Sequence, residues 1–283
     1  MRTGITDLPV LKPFRAKPIP ATGLAAPAVL TGGMLFCLVL LFGASVAVAQ
    51  SVAPAGREGA VTVLLRWAPL IFYGFMFNII ISFLSMALGT VVGTMIGIAQ
   101  VSPVTPLRKT AWAVTQFFRN APWLVLLFYV MFLLPFELRI AGITIAFPAW
   151  VKAVIGLALP VAANVSEIVR GGIRSIPVGQ WESAEALAFT RRQTMWMIIL
   201  PQAVKRMIPP WMNLYAILTM ATTLISVVGI QDGLTITRAA LVAESRPELM
   251  IPMYFLLLLL FFAYCYPIAR ATLMLERRFN VKV

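Results

Sequence analysis

Residues 61–101 read VTVLLRWAPLIFYGFMFNIIISFLSMALGTVVGTMIGIAQV, and a single charge, Arg66, stands in the whole stretch. A helix needs about 20 mostly apolar residues to cross the hydrocarbon of a bilayer. This run is longer than one crossing, yet it holds no polar turn that would divide it into two. Arg66, Trp67 and Pro69 suit an interfacial position, which places the crossing itself at 78–100. Within it Gly89, Gly93 and Gly97 recur every fourth residue. Such a row gives one helix face three positions without a side chain, where a second backbone can approach closely. It predicts tight packing against another helix of the same chain, with a subunit interface as the alternative.

Further apolar runs at 28–49, 114–134, 149–169, 210–230 and 250–273 bring the crossings to six. Composition agrees: 60% of residues are hydrophobic, 12% are charged, and mean hydropathy is +0.91, whereas about 25% are charged in a soluble domain. The fold class is therefore all-α, a polytopic membrane protein. A net charge of +13 suggests nucleic acid only until the charges are placed. With the N-terminus inside, 17 of the 23 basic residues fall on the cytoplasmic side and six outside, while the ten acidic residues divide evenly. Basic loops stay on the cytoplasmic side, so the charge is topological, no nucleic-acid partner is expected, and the C-terminus is cytoplasmic. Residues 1–60 hold a basic tail, a hydrophobic segment and a linker; residues 61–283 hold the transmembrane domain with a cytoplasmic loop at 170–210. The first segment reads either as an anchor or as a cleavable signal, since Ala47-Val48-Ala49 before Gln50 resembles a signal-peptidase site.

Catalytic chemistry has little to work with. There is no histidine, the usual general base near neutral pH and the commonest metal ligand. Cys37 and Cys265 both sit in apolar runs and read as packing residues, so no metal site is expected. No lysine follows a glycine in a GxxxxGK[ST] loop, so the chain is not an enzyme, binds no cofactor and leaves ATP to a partner.

Charges inside membrane segments are costly and mark function by default. Arg119 lies in Phe117-Phe118-Arg119-Asn120-Ala121-Pro122, and Glu167 lies three residues before Arg170. Facing one cavity, the two would hold the carboxylate and ammonium of a zwitterion. Alternatively Arg119 snorkels to the surface and Glu167 pairs with Arg170 one turn on. Asn120, Asn164, Thr222 and Thr223 complete the candidate substrate path, with bonds to backbone carbonyls as the alternative for the polar residues within the spans.

The loop at 170–210 is far longer than the 2–8 residues that usually join helices. Residues 180–189 read as a short helix and 191–200 as a second, closed by Pro201. A basic, partly apolar helical hairpin suits docking of a soluble partner. Here Glu182-Ser183-Ala184, three residues, Ala188, nine residues, then Ile198-Ile199-Leu200-Pro201 resembles the signature of ABC-importer permeases. That signature is Glu-Ala-Ala, three residues, Gly, nine residues, Ile-x-Leu-Pro; Ser183 replaces an alanine and Ala188 the glycine. The flanks Glu167-Ile-Val-Arg-Gly-Gly-Ile173, Ser175-Ile-Pro-Val-Gly-Gln-Trp181 and Leu200-Pro-Gln-Ala203 are similar to the polar amino-acid branch of these permeases.

The resemblance implies a five-helix importer core, to which the first segment adds one extra hydrophobic helix, in a bacterial inner membrane. It implies a second permease, identical or homologous, a dimer of cytoplasmic ATPases, and a periplasmic or extracellular substrate-binding protein. Besides these partners the chain meets membrane lipid. The ATPase would dock around Gly179, Glu182, Ser183, Ala184, Ala188, Leu200 and Pro201. The alternative is an ion-coupled secondary carrier for small polar solutes, which would call for internal repeats and mid-membrane carboxylates; neither stands out in the sequence.

Overall fold

The computed structural model describes residues 28–52, 57–140 and 143–279. The chain divides into two units, Met1–Ala44 and Ser45–Val283. Helix α1 (Ala28–Val52) begins in the first. Its Met34, Phe36, Leu40 and Leu41 side chains are exposed, as a helix facing lipid requires.

In the second unit the stretch quoted above is one helix. α2 (Ala60–Gln100) runs unbroken for 41 residues, past Pro69, or about 62 Å at 1.5 Å per residue. The expected interfacial segment ahead of residue 78 is thus a continuation of the same helix. It exceeds the hydrocarbon core of about 30 Å because its first half has a partner of its own, α9 (Gly233–Glu244), a helix the hydropathy pattern does not announce. There the Trp67 indole N–H and the Arg66 guanidinium both donate to Glu244 Oε1, at 2.7 and 2.6 Å, and hold that carboxyl below the usual range. A Cβ on Gly74 would lie 2.8 Å from the backbone N of Gly233.

The third crossing is broken. α3 (Thr105–Asn120) and α4 (Trp123–Leu133) meet at 104° across Ala121-Pro122. The residue before a proline is pushed out of helical geometry, and Ala121 adopts extended angles. Two short antiparallel strands follow, β1 (Glu137–Ile140) and β2 (Ile143–Ala146), with Glu137 opposite Ala146. α5 (Ala149–Arg174) then crosses back and forms the core with α2. The glycine row is the reason for their closeness: Gly89 lies on Val161, Gly93 on Ala162 and Val165, Gly97 on Ser166 and Val169. Intrachain packing is therefore what the row provides.

The loop is a hairpin of α6 (Val178–Ala186) and a turn, α7 (Arg191–Gln193). Pro201 does not close it. The chain passes through a π-helix, Thr194–Ile199, into α8 (Leu200–Ala221), with Pro201 in its first turn. Because the helix runs on from the π-segment, the proline, which has no N–H, leaves one donor missing from the ladder there. The fifth crossing therefore spans Arg191–Val228, ending in the 3-10 segment Thr222–Val228. α10 (Met250–Phe279) is the last element. Among the described residues five helices are long and apolar enough to cross a membrane, and the bent α3–α4 pair supplies a sixth span if counted as one. The helical, polytopic fold stands as expected.

Two buried polar knots hold the helices in place. Asn78 of α2 donates to Thr222 Oγ1 and Asp232 Oδ2, both at 3.1 Å, and accepts from the Gly233 N–H at 3.0 Å. Gln100 donates to Thr115 Oγ1 at 2.9 Å and to Ser166 Oγ at 3.2 Å. Asn78, with both amide atoms bonded, avoids the penalty of lone polar groups in a membrane interior, whereas Gln100 is bonded through Nε2 and keeps Oε1 buried without a partner among the described residues. Lys152, fully buried, donates to Leu134 O at 2.6 Å and sits 3.5 Å over the Phe136 ring. Its charge faces the carbonyl end of α4, the favourable pole for a cation.

Candidate functional site

A cavity of about 1010 Å³ opens beside the hairpin. α5 contributes Asn164, Glu167 and Gly171, the last turn of α3 contributes Arg119, and α8 contributes Arg206, Pro209, Pro210 and Asn213. Glu276 of α10 completes the charged lining. Its location follows from the second knot. Thr115 lies one turn before Arg119 and Ser166 directly precedes Glu167, so Gln100 fixes the two helices that carry both charges.

Glu167 lies between two guanidiniums. Arg170, one turn on, donates Nε at 3.2 Å to Oε1 and Nη2 to Oε2. Arg119 approaches the same carboxylate from α3 at 3.5 Å. Glu167 thus pairs with Arg170, and Arg119 also meets it at the cavity. The two contacts differ in grip. Glu167 is 13% exposed and Arg119 47%, so the longer, wetter contact is the one that exchanges its partner easily. Asn164 also lines the cavity while donating to Pro160 O at 2.8 Å.

Three sequence candidates lie elsewhere. Asn120 donates to Gln116 O at 2.6 Å. Thr222, fully buried, donates to Thr219 O at 2.7 Å and belongs to the Asn78 knot. Thr223 donates to Met220 O at 3.0 Å. Their hydroxyls satisfy the helix, as serine and threonine commonly do in membrane spans. Arg206, Asn213 and Glu276 were missed. The spacing 206, 209, 210, 213, 217 is a helical face, and that row of Arg, Pro, Pro, Asn and Ile was the available signal for the first two.

On the hairpin, α6 ends in a Schellman motif. The Phe189 N–H reaches Ala184 O at 3.1 Å, the Ala188 N–H reaches Glu185 O at 2.9 Å, and Ala188 itself stands at φ 57°. That position favours glycine. Alanine there costs roughly 1 kcal/mol, so Ala188→Gly is expected to slow amide hydrogen exchange in residues 178–193 about fivefold. Unchanged exchange would show that the turn carries no strain. Gly179, Glu182 and Ser183 are exposed and Ala184 is buried. Val178, Leu187, Trp196 and Met197, on the hairpin and the turn after it, expose 59–71% of their surface, and on the same hairpin the carboxylates of Glu182 and Glu185 are exposed too. Leu200 and Pro201 begin α8 behind them.

The helix ends that flank the hairpin line the cavity. Ser175, at the C-cap of α5, lines the cavity, and its carbonyl accepts from Arg206 Nη1 at 2.6 Å.

Comparison with known proteins matches this architecture. Over 211 residues the chain is 35% identical to the probable amino-acid ABC transporter permease protein YckA of Bacillus subtilis, covering 75% of this chain and 89% of that one. It is 34% identical to a putative glutamine transport system permease protein, GlnP, of Rickettsia prowazekii, covering 67% and 85%. The crystal structure of an amino acid ABC transporter with histidines superposes with a TM-score of 0.67 at 24% identity, over 76% of this chain and 96% of that one. Residues 89–281, from the first glycine of the α2 row through α10, match one family model, and the chain belongs to that family, the binding-protein-dependent transport system inner membrane components.

Proposed function

We propose that this chain is the membrane-spanning permease subunit of an ATP-driven amino-acid importer of the bacterial inner membrane, with its C-terminus cytoplasmic. The observation that carries the reading is the shared root of hairpin and cavity, Ser175 and Arg206. A partner that displaces the hairpin thereby displaces a wall of the cavity. The partner is a pair of cytoplasmic ATPases, since this sequence has no phosphate-binding loop of its own. A second permease, identical or related, completes the path, and a substrate-binding protein delivers from outside. The amino-acid class rests on relatives named for amino acids and on the opposed charges of the cavity. A zwitterion takes over the Arg119–Glu167 contact, its carboxylate on Arg119 and its ammonium on Glu167, while Arg170 stays. For such a ligand to drive switching it must bind the two states of the cavity differently.

The test is uptake of radiolabelled amino acids into proteoliposomes holding the permease, its ATPase and its binding protein. Uptake that requires enclosed ATP supports the reading. Uptake driven by an ion gradient through this chain alone would replace it with a secondary carrier. In the ATP-driven system Glu167→Gln is expected to lower uptake about tenfold to a hundredfold, the value of one charge-assisted hydrogen bond of roughly 1.5–3 kcal/mol. Wild-type kinetics in that variant would return Glu167 to helix packing.

A further inference from the structure

The six residues Thr194–Ile199 between hairpin and α8 are π-helix, a form that occurs mostly as single turns inside α-helices and often at functional sites. The Leu200 N–H bonds to Met195 O, five residues back instead of four. The next residue, Pro201, has no N–H to give, so the ladder lacks a donor where α8 begins. The Gln202 side chain braces the same turn: its Nε2 donates to Ile198 O at 3.0 Å. The same nitrogen donates to Gln180 Oε1 on α6 at 3.2 Å. One carboxamide therefore joins the π-turn to the helix proposed to dock the ATPase. The other end is fixed too. Thr190 and Gln193 form a reciprocal cap, and Thr194 Oγ1 donates to Thr190 O at 3.1 Å. Thr194 and Ile199 are buried while Trp196 and Met197 between them are exposed. The segment is held at both ends, and between them Met195 and Ile198 pack on the core while Trp196 and Met197 face outward.

We infer that this π-turn is a joint with one residue in surplus, pinned by Gln202, through which the hairpin changes its angle to α8. A helix advances 1.5 Å and about 100° per residue. Taking up the surplus residue in an α-turn therefore rotates the hairpin against α8 in one discrete step. Both forms keep their backbone bonded, so the two differ by little, and a partner that holds α6 differently in two states selects between them. Displacing α6 breaks the Gln180–Gln202 bond, frees the Gln202 amide and lets the turn rewind. On α8 the residues beyond the joint, Arg206 to Asn213, are cavity wall. Gln202 is thus a positioning residue. It touches no substrate in this arrangement and acts through the helix register.

The inference rests on the reading of the hairpin as an ATPase dock, and the experiment separates the two. In proteoliposomes of the complete transporter, amino-acid uptake and ATP hydrolysis are measured together. Gln202→Leu, Gln180→Leu and deletion of Met197 are each expected to lower uptake per ATP at least about tenfold. The Gln180, Gln202 double leucine variant should be no worse than either single one, as for residues acting through one bond. Gln180→Glu, which keeps an acceptor for Gln202, should restore coupling. Spin labels at Arg192→Cys and Lys205→Cys, with Cys37 and Cys265 replaced by alanine, read the joint directly, and their separation should change by several ångströms between nucleotide-free and ATP-bound states. Wild-type coupling in the variants, or a label distance that does not move, overturns the joint and leaves the permease reading intact. Absence of ATP-dependent uptake in the wild type overturns the permease reading itself.

Discussion

Gly93→Val is expected to cut the yield of folded protein sharply and to lower its melting temperature in detergent. A Cβ at this position would stand 2.5 Å from Ala162 O, 2.7 Å from Val165 Cβ and 3.0 Å from Ala162 Cα. Two of those three neighbours are backbone atoms of α5, which cannot step aside as a flexible side chain does. Relief requires α2 and α5 to separate, and this is the most extensive helix pair in the chain. Separation also opens gaps at Gly89 and Gly97, since the three glycines make one continuous contact. Overpacking a well-fitted core costs typically 1–3 kcal/mol, and valine adds three carbons against backbone, so about 3 kcal/mol or more is expected. Set against a total stability of about 5–15 kcal/mol, that loss shows as low yield and early unfolding in detergent. Gly43→Ala serves as control, because a Cβ there meets nothing within 4 Å. A Gly93→Val protein that purifies and melts like wild type would mean that α2 and α5 are not packed through this row.

The glycine row was legible because its meaning is one-dimensional: every fourth residue falls on one helix face whatever lies opposite. The proline at 122 was legible in the same local way, but the 104° bend it permits depends on where α4 finds its partner, Leu127 against Gly156 of α5. Pro201 shows the limit of punctuation. Proline ends a helix when it falls in the interior and begins one when it falls in the first turn, and the residue alone does not say which. Thr222 and Thr223 were legible as polar groups in a span, yet hydrogen bonding back to their own helix and, for Thr222, to Asn78 decides that neither lines the cavity. Arg119 and Glu167 were found by cost, since a charge in a span is kept only with a partner. Glu276, near the end of the chain, carries no such signal, because a charge beyond the apolar core is ordinary. Lys152 belongs to a different class of omission. It reads as a residue at a membrane edge, and only folding shows that the carbonyl end of α4 and the Phe136 ring enclose it.

Glu182→Arg is expected to disconnect the transporter from its energy source while leaving the permease folded. Glu182 is exposed on α6 and forms no hydrogen bond or ion pair among the described residues. Reversing its charge therefore removes nothing from the fold, and a change of this kind normally alters stability by less than about 0.5 kcal/mol. The exposed apolar side chains of the same region suit a contact surface instead. Leu187, Trp196 and Met197 are apolar side chains open to solvent, and exposed apolar groups with a charge among them are the anatomy of a docking patch. Ala184, buried beneath, and the Schellman turn at Ala188 hold Glu182 on a rigid element. In a desolvated interface, losing one partner of a charge pair costs 2–5 kcal/mol or more, so binding should weaken about thirtyfold or more. The variant should melt like wild type, retain little ATPase on co-purification, and show uptake near background. If instead the ATPase remains bound and uptake is normal, the docking surface lies elsewhere than α6. If the ATPase remains bound and uptake alone is lost, Glu182 transmits motion and does not supply affinity, and the joint at Thr194–Ile199 becomes the next place to look.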